Sequence, residues 1–115
     1  MKQPIFALGI FVLLYNCCLA QTIYTTQEAK NHIGDSVSVK GIVADIYTSD
    51  KGNVTIVFDD SYPNQTFSFI VFKKNNMDTH LIKKGSIVTV CGWIISGNDK
   101  PQMLLSKQSQ IVKVE

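Results

Sequence analysis

Few residues of this 115-residue chain are of a type that does chemistry, and those few narrow what the chemistry can be. All 11 basic residues are Lys, so there is no guanidinium to grip a phosphate or carboxylate through a planar fork. Phosphodiester cleavage by an arginine clamp beside metal-bound carboxylates therefore lacks its parts. Asp59 and Asp60 are neighbours at a turn, where adjacent carboxylates point to opposite sides and make a poor seat for a divalent ion. His32 and His80 have no Cys or second His at zinc-ligand spacing, and no Ser or Cys stands in a recognisable triad. Cys91, between Val90 and Gly92, reads as a small buried residue. No catalytic residue, metal or cofactor is expected. What remains is a set of lysines and aromatic rings, the combination that holds anions and stacks on flat rings.

The first twenty residues stand apart from the elements that must position these groups. Lys2 is followed by an apolar run over 5–15, and the stretch closes on Cys18-Leu19-Ala20, the pattern of a secretory signal peptide cleaved after Ala20. The run is too short to span a bilayer core of about 30 Å, so no stable membrane span is expected after cleavage. Lipid attachment at Cys17 or Cys18 is the alternative; Tyr15 and Asn16 are poorly suited to that processing. The reading is a leader, 1–20, and one exported domain, 21–115, periplasmic or secreted. Removal of the leader takes Lys2 with it, leaving a nearly neutral domain from a chain of net charge +2. It also leaves Cys91 alone, so the domain must rely on its hydrophobic core and not on an intrachain disulfide.

A short helix opens this domain, since Thr25 and Glu28 have capping-box spacing and Gly34 offers a left-handed stop. Period-two alternation then marks strands over 37–43, 54–59 and 67–71, separated by polar turns. The alternation lapses over 75–84, where Asn76 and Gly85 suggest a short helix or helical turn, and resumes over 88–94 and 102–106, the last continuing toward Ile111 and Val114. The stretches beginning at Gly34 and Gly85 share the pattern G-x-x-V-x-V-x-G-x-(V/I), which puts Gly41 and Gly92 in mid-strand. Glycine there lets a strand bend sharply or lie against another segment, as at the corner of a small closed barrel. Three strands, a helix and two strands give the layout of an all-β, five-stranded Greek-key barrel, the OB-fold, with a short N-terminal helix and a helix between strands three and four.

The chain also resembles the bacterial exported, nucleic-acid-binding OB-fold domains similar to tRNA-anticodon-binding domains. The residues that carry the resemblance are Ala29-Lys30-Asn31-His32-Ile33-Gly34, Tyr62-Pro63-Asn64-Gln65-Thr66-Phe67, the second glycine-valine repeat, Lys100-Pro101-Gln102-Met103 and Ser109-Gln110-Ile111. These are turn and core residues, which specify a fold better than a ligand. In such a fold, ligands lie on the outer face of the second and third strands, between the loops 47–53 and 96–101. Burying Thr55, Asp59 and Ser68 would strand polar groups, so Phe58, Phe67 and Phe69 belong inside. The outward set is then Thr55, Val57, Asp59, Thr66, Ser68, Ile70 and Phe72, of which only Phe72 can stack. Tyr47, Tyr62 and Trp93 either extend this surface or pack round the barrel rim. The candidate ligand-binding residues are Tyr47, Lys51, Phe72, Lys73, Trp93 and Lys100. Asp45, Asp50, Asp59, Asp60 and Asp99 lie in or beside the same loops, and Lys73-Lys74 reads equally as a solvated face. The expectation is a non-catalytic binding module for single-stranded nucleic acid or another extended polyanionic ligand. The alternative is an envelope protein-interaction or small-molecule module that has kept the barrel and lost nucleic acid.

Overall fold

The alternating valines after Gly34 do form a strand, and the remaining elements are arranged around it. A computed structural model describes residues 22–115; the leader expected over 1–20 lies outside the described residues. In chain order the strands are β1 (Ile23–Thr25), β2 (Ser36–Thr48), β3 (Val54–Phe58), β4 (Phe67–Val71), β5 (Ile87–Gly97), β6 (Lys100–Leu105) and β7 (Ile111–Val114). β2 is 13 residues long and serves two partners. Its first half runs antiparallel to β5, with Val39 opposite Val90, and its second half runs antiparallel to β3, with Ile46 opposite Ile56. The register shifts between Val43 and Asp45, where an irregularity of this kind bends a strand from one partner toward the next. β3 pairs with β4, β4 runs parallel to β6, and β6 returns to β5. Because β2 and β5 also meet, the order β2-β3-β4-β6-β5 closes on itself, which is the five-stranded OB-like barrel. β1 lies parallel on β2 and β7 antiparallel on β5.

The side chains divide as hydroxyl and carboxylate desolvation requires. Phe58, Phe67 and Phe69 are fully buried, with Phe58 stacked on Phe67 at 5.7 Å between ring centroids and tilted against Phe69 at 5.8 Å. Val39, Val43, Ile56, Val88, Val90 and Ile94 fill the rest of the cylinder together with Met103 and Leu105. The two mid-strand glycines act as seats. A Cβ on Gly41 would collide with the Thr26 methyl group, and one on Gly92, where φ is +153°, would meet Gln110 Nε2 at 2.8 Å. The segment before β2 and the turn before β7 can therefore lie directly on the barrel wall.

The helical expectations need correction. Thr25 and Glu28 do form the reciprocal pair of a capping box, at 2.9 and 3.2 Å, but the element they open is a 310 turn, Glu28–His32. Over 75–84 there is no helix; a 310 turn, Lys73–Asn75, ends on left-handed Asn76, and irregular chain leads to Gly85. Leu81 is 63% exposed while Ile82 is buried and Met77 packs half-buried against the core, so this segment supplies two apolar contacts and no helical face. Cys91 is fully buried and disulfide-bonded, a correction to the expectation of a lone thiol; Cys17 and Cys18 lie outside the described residues.

Candidate ligand-binding surface

Ladder registers order the outer wall into rows. One row runs Asp45, Val57, Ser68, Gln102, Ile95 from β2 through β3, β4 and β6 to β5. The next runs Tyr47, Thr55, Ile70, Leu104, and extending the β5–β6 register one step past the Ile94–Met103 pair brings Leu104 opposite Trp93. Beyond it, where β4 ends, stands Phe72, with the Lys73 N–H donating to Asn53 Oδ1 at 3.0 Å.

The first row is covered by the chain's own β3–β4 connection. Ser61 Oγ donates to Asp45 Oδ2 at 3.1 Å, and the Tyr62 N–H donates to the Tyr47 hydroxyl at 3.3 Å, the two rings lying 5.2 Å apart. On the far side Lys100 Nζ donates to the Pro63 carbonyl. A loop fastened to β2 on one side and β6 on the other crosses β3 and β4, which explains why Val57 and Ser68 are buried although they point outward as expected. Ser68 also accepts from Gln102 Nε2 at 3.3 Å. Asp45 anchors more than the loop: it accepts from the Ile46 N–H and pairs with Lys84 at 3.3 Å, and these contacts, the backbone bond first, hold its carboxyl below the ordinary value of 3.8.

Lys51, Phe72 and Lys73 are brought together. With Asn53, Lys74 and Asn76 they line one open cleft of about 610 Å³ at the end of the outer face. The Lys73 stem lies on Gly52, where a Cβ would meet Lys73 Cδ at 2.8 Å, and this contact joins the 49–53 loop to the turn after β4. Lys74 Nζ sits 5.9 Å from the centre of the half-buried Phe72 ring, within cation–π range. Among the described residues Lys40, Lys84 and Lys113 pair with carboxylates, whereas Lys51, Lys73 and Lys74 make no ion pair. Three lysines without an ion pair thus line the same cleft as one aromatic ring.

The other candidates are dispersed. Tyr47, 36% exposed, belongs to the loop-anchoring pair with Tyr62, and Lys100 holds Pro63. Trp93, 65% exposed, stands at the far end of its row; a row that crosses five strands of a closed barrel tracks its curved wall, so Trp93 and Tyr47 share no flat surface. Asp59 accepts from Thr26 Oγ1 and Asp60 from the Ser61 N–H, so the two carboxylates serve different partners. Sequence reasoning left Lys74, Asn53 and Asn76 out of the site. For Lys74 the signal was present in the Lys73-Lys74 pair; Asn53 and Asn76 carried only their turn-forming character.

Solved structures that share this barrel include the following two. A protein provisionally named an aspartyl-tRNA synthetase, from Leishmania major Friedlin, superposes with a TM-score of 0.55 and 13% identity over 76% of this chain, which spans only 20% of that protein. A provisionally named nucleic acid-binding lipoprotein from Klebsiella pneumoniae subsp. pneumoniae MGH 78578 gives 0.58 and 18% identity, covering 83% of this chain and 94% of that one. The likeness fixes the fold and nothing finer. No protein-family model matches the sequence, and comparison with curated proteins finds no match. Among the described residues no helix is long and apolar enough to cross a membrane.

Proposed function

We propose that this chain is an exported, non-catalytic binding module that holds single-stranded nucleic acid, or an anionic polymer of similar form, against the outer wall of its barrel at Phe72. The observation that carries the reading is the cleft in which Lys51, Lys73 and Lys74, all without carboxylate partners, surround the one aromatic ring of that face's end. Stacking a base on such a ring contributes roughly 1 to 3 kcal/mol, and the ammonium groups hold the adjoining phosphates. The Klebsiella neighbour, named for nucleic acid binding and as a lipoprotein, supports both halves of the proposal at the level of fold analogy. The test is titration of the protein with fluorescent single-stranded oligonucleotide at low salt. Binding is expected in the micromolar range or weaker, reduced at least about tenfold by Phe72→Ala with Lys73→Ala. Absence of binding, or indifference to the double substitution, removes the reading.

A second reading, an envelope protein-interaction module, draws on a different observation. Leu104, Ile95 and Trp93 are 45%, 39% and 65% exposed on neighbouring strands and carry no charge. Capture of one stoichiometric protein from an envelope extract, lost on Trp93→Ala and unaffected by nuclease, would favour it over the first.

A further inference from the structure

The charge on the outer wall is not spread as a through-running strand would require. Each internal linkage of a single strand carries one negative charge, so a wall that tracks the backbone distributes its cations along the path. Here the row Tyr47, Thr55, Ile70, Leu104 is uncharged. The neighbouring row contributes a carboxylate at Asp45, and Lys100, next along, is committed to the Pro63 carbonyl. Three lysines that make no ion pair among the described residues, Lys51, Lys73 and Lys74, stand together in the Phe72 cleft. That cleft lies where the face stops: β4 ends at Val71, β6 ends at Leu105, and the chain turns away through Lys73–Asn75 and left-handed Asn76. At the opposite margin the 61–66 loop covers Val57 and Ser68.

We infer that the cleft is a site for the end of a strand: it takes a terminal phosphate monoester, with the first base on Phe72 and the subsequent bases toward Ile70 and Leu104. This rests on the nucleic-acid reading above and narrows its ligand. A terminal monoester carries about −1.5 to −2 charge at pH 7, against −1 for an internal diester, and offers three acceptor oxygens to the three ammonium groups. Its second proton dissociates near pH 6.

The experiment compares three forms of one oligothymidylate of about eight nucleotides, bearing a 5′-phosphate, a 3′-phosphate or neither. One phosphorylated form is expected to bind at least about tenfold tighter than the unphosphorylated form at pH 7.5, the advantage shrinking toward pH 5.5 as the monoester loses its second charge. Lys51→Ala with Lys74→Ala should abolish that advantage, while Lys83→Ala with Lys107→Ala, exposed lysines outside the cleft, should preserve it. Equal affinity for all three forms overturns the inference and leaves the nucleic-acid reading standing. Binding of none of them overturns both.

Discussion

Gly41 shows how one missing side chain decides where a neighbouring segment can lie. Its Cβ position is taken by the methyl group of Thr26, a buried, β-branched side chain whose hydroxyl donates to Asp59. Gly41→Ala is therefore expected to destabilise the fold by about 1 to 3 kcal/mol, as overpacking of a closed site does. Thr26→Ser removes the obstructing methyl and keeps the hydroxyl, so adding it to Gly41→Ala should recover most of the loss in urea denaturation. If the double variant is no more stable than Gly41→Ala alone, the clash is not the cause. Single residues were legible in the sequence to the extent that their own strand set their environment. Parity and polar desolvation placed Phe58, Phe67 and Phe69 inside, where they are fully buried. The same parity pointed Val57 and Ser68 outward correctly but could not show them covered, because their cover comes from a loop anchored on β2 and β6.

Elements were legible where they repeat a period and illegible where they depend on anchors. The strands come from alternation and the two mid-strand glycines from the repeated valine pattern; the 75–84 segment has no alternation and only Met77 and Ile82 to pack on the core, and capping residues alone suggest more helix there than the 310 turn that forms. The 61–66 loop is the clearest case of anchoring, since nothing in its own composition reveals that Asp45 on β2 holds it. The Asp45 carboxyl is held below 3.8 by the Ile46 N–H, with further bonds from Lys84 and Ser61. A carboxylate whose folded pKa is lowered adds stability at any pH above its unfolded value, and that contribution disappears as pH falls through the folded value. Asp45→Asn should thus be less stable than the native chain at pH 7, with faster amide exchange over 61–66, and the gap should close as pH falls through the lowered folded value. A gap that persists in acid would assign the effect to shape and not to charge.

For the molecule as a whole, the net charge of +2 gives a misleading impression of neutrality, because what a polyanion meets is the local field. Among the described residues carboxylates neutralise Lys40, Lys84 and Lys113, whereas the cleft keeps three cations unpaired, so the proposed binding surface is small and its charge finite. The salt dependence of oligonucleotide binding measures that number directly. Each phosphate neutralised on a single strand contributes a slope of about −0.7 in log K against log salt, so two or three contacts predict about −1.4 to −2.1. Lys51→Ala with Lys73→Ala should flatten the slope by about 1.4, while Trp93→Ala, far round the barrel wall, should leave it unchanged. A native slope near zero would transfer the binding to the uncharged row of Leu104 and Trp93, and with it the case for a protein partner. A slope steeper than about −4 would require more cations than the cleft contains, and would mean that the strand takes a path other than the one through Phe72.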